Sequence, residues 1–208
     1  MDISIISLLI GVPIVAAIIV SLLPSKRTEL PIPVGVLLSL IPVAIAGWMF
    51  WEFQDTSAGI QFAEFLTLYE PWGIAWNVGV DGLSMPMVLI TTILVPVAIG
   101  ASSSITDRPK LFVTMILLLE AATLGVFVAL DLIVFYVFFE FVLVPMTFLI
   151  GIWGSENRIY AAVKFFLYTA FGSLLMLGGI IALVLTASAG GSLSFAWQDL
   201  VGLGLPAD

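Results

Sequence analysis

The chain has 208 residues, 62% of them hydrophobic and 10% charged, with a formal net charge of −8. Soluble domains carry about a quarter charged residues, so the solvent that suits this composition is a lipid bilayer. Cysteine and histidine are absent, which excludes disulfides, thiol catalysis and zinc, haem or iron–sulfur ligation through those residues. Six Lys and Arg form no basic patch, so nucleic acid is excluded as a partner.

The first stretch, MDISIISLLIGVPIVAAIIVSLLPSKR, lacks the basic start and small-residue cleavage site of a secretory leader. It reads as a membrane helix over Ile3–Leu23, about the 20 apolar residues a crossing takes. A second span follows at Ile32–Phe53, and the pair makes up residues 1–53. Residues Gln54–Gly82 form the one sizeable extramembrane piece. Its Trp72 and Trp76 suit an interfacial position, and its WNVGVDG run suits a hairpin or bulge. We read it as a surface cap that holds helices together.

Four further spans are expected within residues 83–187: Leu83–Ser102, Leu111–Leu130, Leu132–Trp153 and Tyr160–Thr186, followed by a tail over 188–208. Pro13, Pro42, Pro86, Pro96 and Pro145 interrupt the spans, as membrane helices tolerate. Little more than Asp131 separates spans four and five, which predicts a tight antiparallel hairpin. The expected fold is all-α, a polytopic membrane bundle of six transmembrane helices. Lys26, Arg27, Arg108, Lys110 and Arg158 fall in alternate loops, and the opposite loops hold no Lys or Arg. The positive-inside rule then places the N-terminus outside and the three basic loops in the cytoplasm.

Three ionisable residues remain inside the spans: Glu120, Glu140 and Lys164. A charge at mid-membrane costs about 2.5–3.5 kcal/mol on insertion scales, so such residues face a protein interior or water and mark function. At 1.5 Å per residue, Glu120 lies about 14 Å and Glu140 about 20 Å from the cytoplasmic ends of their spans. Lys164 lies only about 6 Å in, within reach of snorkelling to the interface. Tyr136, Glu140 and Thr147 share a face of span five; Tyr160, Lys164 and Tyr168 share one of span six; Thr123 follows Glu120 at i+3. A carboxylate beside hydroxyls and water is what a proton relay needs, which makes Tyr136, Thr147 and Tyr168 candidate relay groups. Pro145 distorts the helix and leaves the Phe141 carbonyl without its usual donor, one residue past Glu140. The structural alternative is a protonated acid hydrogen-bonded across a helix interface, with Lys164 as a snorkelling anchor.

The runs LLLEAATLGVFVALDLIVFYVFFEFVLVPMTFLIGIWG, RIYAAVKFFLYTAFGSLLML and VGVDGLSMPMVLITTIL closely resemble the antiporter-like membrane subunits of respiratory complex I, above all the bacterial subunit M (chain 4) type. The resemblance implies a subunit that moves protons across the bacterial inner membrane, driven by redox chemistry elsewhere in the complex. Motif match makes Glu140 the mid-membrane carboxylate of the proton channel, Glu120 the acid on the preceding helix and Lys164 the lysine of the KFF run. The implied partners are other membrane subunits of the complex, the lipid bilayer and protons. No cofactor is expected in this chain and no active site of its own. Such subunits have about fourteen helices in two inverted repeats, so the chain reads as an N-terminal portion whose tail resembles the outside loop before a seventh helix. The alternatives are a cation/proton antiporter subunit of the Mrp type, a membrane hydrogenase subunit, or a non-transporting scaffold or gene remnant. The last predicts that Glu120, Glu140 and Lys164 can all be replaced without loss.

Overall fold

The computed structural model describes residues 4–24, 29–53, 59–187 and 193–201. Lys26 and Arg27, part of the Gln54–Gly82 loop and much of the tail lie outside the described residues.

Six long helices run at the expected places: α1 (Ile5–Ser21), α2 (Pro31–Glu52), α3 (Ser84–Ala101), α4 (Pro109–Val128), α5 (Leu132–Trp153) and α6 (Arg158–Ala187). Five are long and apolar enough to cross a membrane, and α1 is a shorter apolar helix of 17 residues. Each boundary has a local cause. Pro31 and Pro109 open α2 and α4 in the first turn, where a missing N–H costs nothing. Asp131 caps α5 by accepting from the amides of Ile133 (2.8 Å) and Val134 (3.1 Å). Asp81 and Ser84 exchange reciprocal side-chain-to-backbone bonds ahead of α3.

The central helix is α4. More than half of it is buried, against 17% of α5 and of α6. It packs against α1, α2, α3 and α5, and α6 joins the bundle through α5. At the α2–α4 contact Val113 fills the space that a side chain on Gly35 would take, with Ile99 of α3 beside it. Two apolar clusters form around α4: one holds Ile6, Ala46, Met85, Leu124 and Val134 near the hairpin end, and the other holds Val20, Ile99, Val113 and Leu117 near the basic end. A third, of Ile180, Val184, Phe195 and Leu200, joins α6 to the last described segment.

The chain is not wholly helical. Strands β1 (Gln61–Tyr69) and β2 (Ile74–Val80) pair antiparallel, joined by a 3₁₀ turn over Glu70–Trp72. Gly73 closes that turn at φ 64°, and the carbonyl of Leu193 packs where a side chain would stand. The hairpin does bind helices together. The carboxylate of Glu64 accepts from the amides of Ile6 (2.7 Å) and Ser7 (3.2 Å) at the start of α1, and also from the Ser7 hydroxyl. The turn between α4 and α5 threads between β2 and the last described segment. Leu130 donates to Asn77 and accepts from Trp197, while the Asp131 carboxylate also accepts from Ala75. This is why α4 ends at Val128, two residues before the end expected from hydropathy: Ala129–Asp131 is extended backbone paired on both sides. A short helix, α7 (Trp197–Val201), follows the segment that pairs with Asp131.

Candidate functional site

The α4–α5 pair fixes the direction of both buried acids. Phe138 of α5 packs over Gly125 of α4, whose missing side chain would stand 2.3 Å from the ring. Glu140 follows Phe138 by two residues, roughly 200° around the helix, so it turns away from α4. On α4, Glu120 lies seven residues past Val113, on the same stripe, and so turns toward α2 and α3. The two carboxylates therefore occupy different interfaces on opposite sides of the hairpin.

Glu120 is 1% exposed, and neither carboxylate oxygen has a hydrogen-bond partner among the described residues. Ile99 of α3 and Val113 of α4 both lie against Gly35, and the antiparallel pairing carried seven residues along brings Glu120 level with Thr92, a buried polar residue of α3. The Thr92 hydroxyl is spent on its own helix, donating to the carbonyl of Leu89 at 2.9 Å. Thr123 is half-buried on α4.

Glu140 is half-buried and faces α6. Gly151 of α5 meets Ala162 of α6, and the antiparallel pairing carried three turns along brings Glu140 level with Ser173. Ser173 is 3% exposed, on a helix that is otherwise mostly exposed. The Tyr136 hydroxyl, one turn before Glu140, approaches both the Glu140 carboxylate and the Ser173 hydroxyl. Glu140 Oε1 has no hydrogen-bond partner among the described residues. The Ser173 hydroxyl donates to the carbonyl of Ala170 at 2.9 Å, so toward other groups it can act only as an acceptor. The Tyr136 ring also lines an apolar cavity of about 530 Å³, bounded by Trp72, Ile74, Ile133, Leu177 and Phe195. Thr147, two turns beyond Glu140, donates to the carbonyl of Leu143 at 2.7 Å. The helix continues through Pro145, which is buried.

Lys164 stands apart. It lies nine residues before Ser173, about two and a half turns, and so on the outward face of α6. Its ammonium sits 5.6 Å from the Tyr160 ring centre and 5.9 Å from that of Tyr168, both well exposed. No ion pair joins it to Glu140 or Glu120 among the described residues. Tyr168 thus attends Lys164 and not Glu140. Sequence reasoning singled out neither Ser173 nor the pairing of Tyr136 with it. The available signal is the spacing of small residues, Ala162, Thr169 and Ser173, on one stripe of α6; Ala162 and Ser173 are buried there and Thr169 is half-buried.

Two family profiles match consecutive parts of the chain. That of NADH-ubiquinone oxidoreductase chain 4, amino terminus, covers residues 29–126; that of the NADH:quinone oxidoreductase/Mrp antiporter membrane region covers 129–201. The chain belongs to the antiporter-like membrane subunits of the subunit M, chain 4 type. Among its relatives are F(420)H(2) dehydrogenase subunit M of Methanosarcina mazei, 39% identical over 87% of this chain and 36% of that one. NAD(P)H-quinone oxidoreductase chain 4 1 of Picosynechococcus is 38% identical over 92% of this chain and 35% of its own length. Respiratory complex I from Thermus thermophilus holds a chain that superposes with a TM-score of 0.78 at 30% identity, over 98% of this chain and 40% of that one. A chain of the Mrp complex from Dietzia shares the fold, with a TM-score of 0.74 at 20% identity. The chain thus spans little more than a third of the curated subunit M and chain 4 proteins that it matches.

Proposed function

We propose that this chain is part of a proton-translocating membrane subunit of an NADH-quinone oxidoreductase, in which quinone reduction elsewhere drives proton movement through the bundle. The observation that carries this is Glu140: a carboxylate inside a membrane-spanning helix, half-buried, with one oxygen unpartnered and the Tyr136 hydroxyl beside it. A group that must bind and release a proton needs to be out of bulk water, yet next to a donor and acceptor that can follow its charge. Glu120, without a hydrogen-bond partner among the described residues, is a second proton-holding group on the other side of the hairpin. Lys164 sets a positive charge on the outer face of α6 and acts on Glu140 only through the field or an intervening group.

The chain itself carries no redox site and no cofactor in this reading. Its partners are the other membrane subunits, the lipid bilayer and protons. Relatives of similar identity are named for different electron donors, F(420)H(2) in one and NAD(P)H in another, as expected if the donor is bound by other chains. Alternating basic loops support an inner-membrane protein with its N-terminus, hairpin and tail outside.

The test is Glu140→Gln in the intact complex, reconstituted into vesicles and driven by NADH and quinone. Proton uptake into the vesicles should fall at least about tenfold, while the subunit still assembles and quinone is still reduced. Wild-type proton uptake in the variant would overturn the reading. A sodium or potassium flux coupled to proton movement in the same vesicles would instead identify a cation/proton antiporter.

A further inference from the structure

We infer that Ser173 is a positioning residue for Glu140, acting through Tyr136, and that the three form a two-state hydrogen-bond switch across the α5–α6 interface. This rests on the reading of Glu140 as a proton carrier.

Three observations carry it. The antiparallel register set by Gly151 against Ala162 brings Ser173 of α6 level with Glu140 of α5, and the Tyr136 hydroxyl interacts with both side chains. Ser173 is 3% exposed and holds its own hydrogen on the Ala170 carbonyl, so toward Tyr136 it offers an acceptor. The Tyr136 ring borders the apolar cavity, which leaves it room to turn without forcing neighbours apart.

A tyrosine hydroxyl has one hydrogen to give. When Glu140 is ionised, that hydrogen points to the carboxylate. When Glu140 takes up a proton, its new O–H donates to the tyrosine oxygen, and the tyrosine hydrogen swings to Ser173. The proton gained stays on Glu140, Tyr136 keeps its own, and the Ser173 hydrogen never leaves Ala170. Both charge states thus keep a hydrogen bond between Tyr136 and Glu140, and the tyrosine hydrogen has an acceptor in each. Without Ser173 the loaded state in which Glu140 donates to Tyr136 leaves the tyrosine hydrogen without its acceptor on α6, and Tyr136 must instead keep donating to the neutral carboxyl, a weaker acceptor than the carboxylate.

The test uses the intact complex in vesicles with Tyr136→Phe, Ser173→Ala, Ser173→Thr, the double variant Tyr136→Phe/Ser173→Ala, and Glu140→Gln as reference. Ser173→Ala should lower the proton pumping rate roughly three- to tenfold, the effect of one lost hydrogen bond. Ser173→Thr should restore it, because the hydroxyl is kept. The double variant should be no worse than Tyr136→Phe alone, since Ser173 acts only through the tyrosine. Infrared difference spectra should show the protonated-carboxyl band, absent in Glu140→Gln, displaced in Ser173→Ala and returned in Ser173→Thr. Additive losses, or wild-type pumping and an unmoved band in Ser173→Ala, would overturn the inference. If Glu140→Gln pumps normally, the functional reading fails. If it does not pump but Tyr136→Phe and Ser173→Ala behave as wild type, the switch alone fails.

Discussion

The ring of Phe138 lies where a side chain on Gly125 would have to be, 2.3 Å from the position of its first carbon. This contact sets the approach of α4 and α5 and the rotation of each, and so determines that Glu120 and Glu140 point in opposite directions. Gly125→Ala should therefore both destabilise and misalign the pair. Phe138 cannot simply retreat, because its other side packs against Trp76 of the hairpin, with ring centres 5.9 Å apart. Overpacking of this kind costs about 1–3 kcal/mol. Unfolding by detergent titration should show a loss in that range, partly recovered by adding Phe138→Leu. Unchanged stability in Gly125→Ala would mean that the helices have slack at this point.

Glu120 makes an opposite case. A buried polar group without a partner costs about 1–3 kcal/mol, and neither oxygen of Glu120 has one among the described residues. Glu120→Leu, of similar volume and apolar, should raise stability by an amount in that range while lowering proton transport. Glu120→Gln should leave stability nearly unchanged, because it keeps a polar group in the same place. The measurement pairs detergent unfolding with vesicle proton uptake. A stability loss in Glu120→Leu would show that the carboxyl is satisfied in the membrane, by water or otherwise.

Asp81, outside the spans, gives a pH dependence. Its carboxylate accepts from the amide of Ser84 at 2.7 Å and from that of Leu83 at 3.0 Å, which holds it below its ordinary value of 3.8. Since the folded value is the lower one, its contribution is fully present above about pH 3.8 and is lost as pH falls through the lowered value. The first turn of α3 should then exchange its amide hydrogens faster below that point. In Asp81→Asn the acceleration should be absent, whatever the starting rate. Persistence of the acid step in Asp81→Asn would assign it to another group.

The apolar runs and their proline, glycine and acidic boundaries are enough to place six membrane helices to within a few residues, because a bilayer demands satisfied backbone and about 20 apolar residues per crossing. The same runs single out Glu120, Glu140 and Lys164, since a charge there is costly and stands out against Leu, Phe and Val. Asp131 stands in the sequence only as the separator of spans four and five; its capping of α5 and its hold on Ala75 come from the folded structure. What the sequence by itself does not determine is which way each helix faces. Hydropathy is nearly uniform around a membrane helix, so no amphipathic stripe marks the buried side. The facing of α5 and α6 comes from close contacts between distant residues: Gly125 with Phe138, and Gly151 with Ala162. Those contacts put Ser173, and not Lys164 or Tyr168, opposite Glu140. The hairpin follows the same logic. Its strands were visible in part, but Glu64 reaches the first turn of α1 across 57 residues of chain, and only the folded structure brings the two together.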